Sequence, residues 1–394
     1  MPRNLIVCCD GTNNEFGKVN TNVVRLIQVI DRDQSRQRVY YDPGVGTLPE
    51  PGFVTSIGKK ISDIMGLAFG AGLIWKVQEA YSYLMDIWEP GDRVFLFGFS
   101  RGAYSVRVLA GVLHACGLLP RGNPNMVPYL MRLYASVRDE RKALAGKTGP
   151  WQELCTNFRQ TFSRSVTPGD NERSFPVHFL GVWDTVSSVG WVWNPDKFPY
   201  TAANPSVQIA RHAISIDERR WFFRQNSIKQ ATPQQDLKEY WFAGVHCDVG
   251  GGYPEIYSTR DPSTYAGIWR NSFQWMVQEA VAHGLLLDQA RYKEVISRDP
   301  ACDSPWLEKQ HESLTAQWWP AEFVLKRVWD SQLKELCWRW GRGRHRTIPL
   351  GSLIHETALM RIKADSAYDP PNLSPEFKSH IKTLPVIPSA LSCT

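Results

Sequence analysis

Apolar and polar positions alternate along the first 116 residues in blocks that change period. Residues 5–9 form a short continuous apolar run closed by the turn formers Asp10-Gly11-Thr12-Asn13-Asn14, which predicts a buried strand and a loop. Val23, Leu26, Ile27 and Ile30 then recur at helical spacing, with Thr21 or Asn20 placed to cap the helix. A second strand is expected over 38–42, followed by a Gly/Pro-rich loop over 43–52. A long helix over 71–88 is stopped by Pro90-Gly91. Residues 94–97 are apolar throughout, as in a strand covered on both faces. Residues 102–116 return to helical spacing. Alternation of this kind implies a mostly parallel sheet with right-handed crossovers and helices on both faces, an α/β class.

The rhythm then breaks. Residues 118–175 read as polar and helical, with helices over 126–143 and 151–164. Strands resume at 177–183 and 240–245, separated by a Trp/Pro-rich loop over 191–199 and a helix near 206–217. After Tyr253 the expectation is chiefly helical, with helices over 264–283 and 321–336 and a basic stretch over 339–346. This predicts a core over 1–260, carrying cap insertions at about 118–175 and 190–239. A helical, Trp-rich region over 261–394 would pack on it.

Composition narrows the function classes. Hydrophobic residues make up 43% and charged residues 21%, ordinary globular usage that excludes a disordered, collagen-like or coiled-coil chain. The net charge of +6 is mild for 394 residues and gives no case for a nucleic-acid partner. None of the eight Cys forms a C-x-x-C pair, which argues against a zinc ribbon or a thioredoxin-like motif and fits synthesis in the reducing cytoplasm. The N-terminal apolar run is too short for a secretory signal. The longest apolar stretch, 64–75, contains three Gly and falls short of the ~20 residues a membrane span needs. Trp is the outlier: thirteen of sixteen lie at or beyond Trp183.

One motif carries chemistry. Gly98-Phe99-Ser100-Arg101-Gly102 follows an expected strand and opens an expected helix, the context of a nucleophile elbow. Ser100 would sit on a sharp turn with its hydroxyl presented, while Gly98 and Gly102 keep bulk away. The Arg101 backbone N–H, near a helix N-terminus, would face a developing oxyanion. A nucleophilic Ser needs a base and an acid that orients it, in the chain order Ser, acid, His, and placed after strands. Asp184 ends the strand at 177–183 and is the candidate acid. His246 ends the strand at 240–245, just before Gly250-Gly251-Gly252, and is the candidate base; His355 near the C-terminus is the rival. Gly11 or Thr12 is the candidate second oxyanion donor, and Asp10 a loop-holding residue through backbone hydrogen bonds.

Five ordered segments carry a resemblance that spans nearly the whole chain. They are Cys9-Asp10-Gly11-Thr12-Asn13, Asp42-Pro43-Gly44-Val45-Gly46-Thr47, Gly98-Phe99-Ser100-Arg101-Gly102-Ala103-Tyr104, Val182-Trp183-Asp184-Thr185-Val186 and His246-Cys247-Asp248-Val249-Gly250-Gly251-Gly252-Tyr253. Together with a late Pro370-Pro371-Asn372-Leu373, the chain resembles an α/β-hydrolase family that includes the catalytic module of type VI secretion lipase effectors. The resemblance implies a Ser-Asp-His esterase or phospholipase carried by Ser100, Asp184 and His246, with no cofactor. It also raises export by a route that needs no signal peptide.

The partners expected are therefore an ester or lipid substrate and, from the late Trp residues and the basic 339–346 stretch, a peripheral membrane contact. Two other readings stay open at this point. Asp10, Asp184, His246 and Asp248 could gather at strand ends as ligands for a hard cation in a metal-dependent hydrolase. A non-catalytic binding protein on a hydrolase scaffold is the other, since fold does not dictate function.

Overall fold

The structure is a computed structural model, and it describes residues 2–11, 14, 16–44, 69–136, 149–166, 173–186, 190–191, 194–195, 198–254, 267–296, 305–330 and 335–378. Seven strands form one sheet: β1 (Asn4–Cys9), β2 (Gln37–Asp42), β3 (Arg93–Phe99), β4 (Val177–Trp183), β5 (Val207–Ser215), β6 (Asp236–Phe242) and β7 (Leu353–Ile354). Their spatial order is β7-β6-β5-β4-β3-β1-β2, and every pairing is parallel. The architecture is α/β-hydrolase-like.

Continuous apolar runs in these strands reflect burial on both faces. Leu5, Val7, Val94, Leu96 and Val182 point into a core layer shared with α2 (Phe69–Ile87), α3 (Ser100–Cys116), α4 (Val127–Ala135) and α5 (Pro150–Phe162). Their neighbours Ile6, Phe95, Phe97 and Trp183 point the other way, onto α1 (Asn22–Val29) and α7 (Trp269–Ala282). The period of two along each strand thus sorts alternate residues into two layers. Thr21 is the cap of α1, accepting a hydrogen bond from the Val24 N–H. A third, smaller cluster joins Ile214 and Trp241 to Ile354 and Ala358 beside α9 (Glu356–Ala364).

Parallel register brings the carboxyl ends of the strands to one edge. Cys9 lies opposite both Asp42 and Gly98, Phe99 opposite Trp183, and Trp183 opposite Ala213. Residues that follow β1, β3, β4 and β6 are therefore delivered to the same rim, where parallel α/β sheets bind their ligands.

Several expected elements differ. Residues 206–217, expected as a helix within a cap, contain β5 near the middle of the sheet. Val207, Ala210 and Ile214 happen to share a helical spacing. Because the strand is buried on both faces, even Arg211 and His212 are inside, and no polar face marks the period. Arg211 is paired there with Asp236 and Glu279, and His212 with Glu239. The expected helix over 321–336 is instead a one-turn helix, Trp319–Glu322, and an antiparallel hairpin of Lys326–Asp330 with Glu335–Arg339. Cross-strand pairs such as Cys337 with Val328 compete there with local helical spacing. The region beyond 260, expected as helical, also supplies the edge strand β7. The helix expected over 126–143 is α4, ending at Ala135, and residues 137–143 of that expectation lie outside the described residues.

Candidate active site

Local geometry at residue 100 follows from its neighbours. β3 runs directly into α3, so the chain must reverse direction within one residue, and Ser100 takes a positive φ of 58°. That conformation costs a non-glycine residue about 1 kcal/mol or more. The turn needs both flanking glycines: a Cβ on Gly98 would lie 2.6 Å from the Gly102 carbonyl oxygen, and one on Gly102 would collide with the Cys9 and Asp10 carbonyls. Asp184, one residue past β4, is likewise held at φ 38°. His246 opens the short helix α6 (His246–Gly250) just beyond β6.

These three side chains meet. The Ser100 Oγ donates to His246 Nε2 at 2.8 Å, and His246 Nδ1 donates to Asp184 Oδ2 at 2.5 Å. All three are buried. The imidazole is clasped between the Phe99 ring, with centroids 4.6 Å apart, and the Phe223 ring, edge-on at 4.8 Å. Glu218, fully buried, accepts from the His246 backbone N–H at 3.2 Å and is paired with Arg220.

Asp184 has a partner the sequence did not reveal. Arg346 Nη1 donates to its Oδ1 at 2.5 Å and Nη2 to its Oδ2 at 3.0 Å, a bidentate pair inside the protein. Ser215 adds a backbone N–H at 2.9 Å and its hydroxyl at 3.1 Å to the same Oδ1. Arg346 is itself tied to the Phe223 and Ser215 carbonyls, and Asn372 of the late Pro-Pro-Asn-Leu segment donates to the Arg346 carbonyl oxygen at 3.1 Å. Burial pushes the Asp184 carboxyl up, but the Arg346 guanidinium and the His246 imidazole outweigh it and hold it well below the usual carboxylate range. Burial also lowers His246, a pull that Asp184 only partly offsets. The imidazole therefore stays neutral, as a hydrogen-bond acceptor toward Ser100 must be. The basic stretch at 339–346 gave no local sign of this role: Arg342 and Arg344 are exposed, whereas Arg346 is 1% exposed.

The other expected residues fall as follows. Arg101 follows Ser100 in the first turn of α3. Gly11 lies against Ser100, since a Cβ there would sit 3.2 Å from the Ser100 Cβ. Its N–H, expected as a free oxyanion donor, is already given to Asp10 Oδ1 at 2.7 Å. Asp10 thus holds the loop through the N–H of the next residue, and its Oδ2 accepts from the Thr21 and Tyr41 hydroxyls. Thr12 lies outside the described residues. His355, the rival base, is elsewhere: it caps α9, stacks on Phe242 at 4.3 Å, and its Nδ1 meets the Thr357 hydroxyl.

Asp10, Asp184, His246 and Asp248 do not form a cation cage. Among the described residues no three His, Cys, Asp or Glu side chains converge to hold a metal. Asp184 already carries a guanidinium, and Asp248 bonds the His311 ring at 2.6 Å.

The fold and the rim on which these residues stand define an α/β-hydrolase-like protein. The chain belongs to the family described as "T6SS, Phospholipase effector Tle1-like, catalytic domain", whose model matches residues 3–279. It is 34% identical over 232 residues to YEL023C, an uncharacterized protein of Saccharomyces cerevisiae, a match covering 57% of this chain and 32% of that one. The chain thus spans about a third of the length of that curated relative. Among solved structures it is similar to an uncharacterized protein from Pseudomonas aeruginosa, at 19% identity and TM-score 0.41 over 73% of this chain and 46% of that one. It is also similar to the Tle1 effector bound to the VgrG spike of the type VI secretion system, at 20% identity and TM-score 0.36 over 66% and 53%.

Proposed function

We propose that the protein is a serine lipase that hydrolyses acyl esters of phospholipids through a covalent acyl-enzyme. The observation that carries this reading is the continuous hydrogen-bonded row from Ser100 through His246 to Asp184 on the sheet rim. Membership in a family of phospholipase effector catalytic domains supports a lipid ester as the substrate class.

In the first half-reaction Ser100 Oγ attacks the ester carbonyl carbon while His246 Nε2 takes the hydroxyl proton. Asp184 keeps Nδ1 protonated and stabilises the imidazolium that forms. The tetrahedral oxyanion is received by the Arg101 backbone N–H; one such donor is worth about 10²–10³ in turnover. His246 then gives its proton to the departing alcohol, in a phospholipid the lysolipid hydroxyl. Water, deprotonated by the same imidazole, attacks the acyl-enzyme and releases the fatty acid. Arg346 is a positioning residue: its fork fixes both carboxylate oxygens, and so the direction in which Asp184 points.

Export without a signal peptide accords with the effector family, and no described helix is long and apolar enough to cross a membrane. Because a yeast protein shares the module, we attach the proposal to the hydrolytic chemistry rather than to the delivery route.

The test is covalent labelling by a fluorophosphonate, together with hydrolysis of p-nitrophenyl esters and a phospholipid panel. Labelling and turnover in the unaltered chain, both lost in Ser100→Ala, are expected. A folded protein that neither labels nor hydrolyses any of these esters would instead be a binding protein on this scaffold. Turnover that survives Ser100→Ala and falls with a chelator would restore the metal reading.

A further inference from the structure

Exposed aromatic rings gather on one stretch of the surface. Trp319, Phe323, Trp338 and Trp340 are 40%, 53%, 53% and 40% exposed. Three of them are connected, the Trp319 and Phe323 centroids 6.4 Å apart and those of Phe323 and Trp340 6.3 Å, and Trp338 stands two residues before Trp340. Burying such rings from water is favourable, and monomeric proteins seldom leave a contiguous group of them uncovered without a use.

The segment around this group carries an excess of positive charge. Residues 318–344 contain six Lys or Arg against three Asp or Glu. Arg342 lies over the Trp340 ring at 5.2 Å, and Lys326 over the Phe222 ring at 3.3 Å. Arg344 is exposed beside them. Glu322, by contrast, is turned inward, where it accepts from the Trp221 and Gly343 backbone N–H groups. Arg342 and Arg344 are thus exposed cations beside these rings, while burial lowers Lys326 to about 7.

This face is continuous with the wall of the candidate active site. Phe223, which touches the His246 ring, is edge-on to Trp318 at 5.4 Å, and Trp318 adjoins Trp319. Arg220 stacks over Phe223 at 3.5 Å and stiffens that wall. Rings thus run from the imidazole to Trp318, whose chain neighbour Trp319 is exposed.

We infer that the Trp319–Phe323–Trp338–Trp340 face, with Arg342 and Arg344, is the surface by which the protein lies on a bilayer containing anionic phospholipid. The inference rests on the lipid-hydrolase reading and deepens it. Trp rings settle at headgroup depth, with the indole body among acyl chains and the N–H toward water. Arginines interspersed with them meet lipid phosphates as forked donors. A bilayer is favoured over a second protein because this face adjoins the wall of the proposed lipid-ester site. Docked this way, the aromatic wall would carry an acyl ester from the interface toward Ser100.

The experiment is sedimentation of the full chain with vesicles, made with Ser100→Ala so that lipid is not consumed. Vesicles of phosphatidylcholine alone are compared with vesicles that also contain phosphatidylglycerol. Binding is expected to favour the anionic vesicles and to weaken with salt. The double substitution R342Q/R344Q should lower anionic partitioning roughly thirtyfold, at about 1 kcal/mol per Arg. W338A/W340A should weaken binding to both kinds of vesicle, with an unchanged thermal melt. The inference is overturned if both variants bind like the parent, if the parent binds neither vesicle, or if W338A/W340A abolishes a dimer instead. Failure here is separable from failure of the hydrolase reading, which is read on soluble esters with Ser100 intact. Hydrolysis of soluble esters without vesicle binding removes the surface alone. Vesicle binding without ester hydrolysis removes the chemistry alone.

Discussion

Two parts of this molecule reach the same place by different means. Ser100, Asp184 and His246 arrive from the ends of β3, β4 and β6, which share one parallel hydrogen-bonded sheet. Arg346 arrives from a stretch between the 326–339 hairpin and β7 that belongs to no strand or helix. The sheet fixes the first three by ladder geometry, so their positions tolerate change in surrounding loops. Arg346 is fixed by the groups it touches, among them Asp184, the Phe223 carbonyl, the Ser215 carbonyl and hydroxyl, and Asn372. The proposed reacting groups thus stand on a rigid frame, while the arginine bonded to Asp184 is supplied by a long return of the chain.

The comparison can be broken most sharply at the frame. Replacing Ser100 with Ala should lower kcat by roughly 10⁴–10⁶ with little effect on the melt, measured on soluble esters. A loss below tenfold would mean that the row is not the reacting group.

Arg346→Gln probes the other part. Breaking a buried ion pair leaves an unpaired carboxylate, and about 3–5 kcal/mol of stability should go, read by urea unfolding. The pH profile separates positioning from mere folding. Removing the guanidinium makes Asp184 a better partner for the imidazolium, so the His246 pKa rises. Because the base must be neutral to take the Ser100 proton, the acid limb of kcat/KM should move to higher pH. Arg346→Lys should restore much of the limb's position. A profile that stays put while stability falls would reduce Arg346 to a structural role.

His355→Ala sharpens the choice of base. Activity should be unchanged, and stability should fall by about 1 kcal/mol as the α9 cap and the stack on Phe242 weaken. Loss of turnover without loss of fold would reopen that choice.

The smallest effect is a titration. Burial pushes the Asp217 carboxyl up to about 7, although the Gly244 N–H and the Tyr368 hydroxyl pull it down. The folded state keeps this proton after the unfolded chain has released it. Its contribution is therefore full below the model-peptide value of 3.8 and is lost as pH rises through about 7. The unaltered chain should lose stability relative to Asp217→Asn over that window, in parallel denaturant series. A constant difference would show that Asp217 ionises alike in both states.

Much of the frame was legible. Continuous apolar runs separated by helical spacing announce buried parallel strands, and β1, β3 and β4 stand where the runs lie. The Gly-Phe-Ser-Arg-Gly segment announces a tight turn because only glycine fits beside the Cys9, Asp10 and Gly102 carbonyls. β5 was not legible, since burial on both faces of Arg211 and His212 erased the alternation that marks a strand. The late Trp residues looked alike in sequence, yet Trp241, Trp269 and Trp275 are buried while Trp338 and Trp340 are exposed.

Local spacing was enough to set the order of strands and helices over the first 116 residues, the bend at Ser100, and the strand ends near which Asp184 and His246 lie. Those are short-range matters of backbone sterics and apolar period. Only the folded chain decided that Arg346 leaves its basic neighbours for Asp184, that Gly11 spends its N–H on Asp10, and that Phe223 closes over the imidazole. Each depends on which side chains lie within a few ångströms after distant segments return, and no local period in the chain encodes that distance.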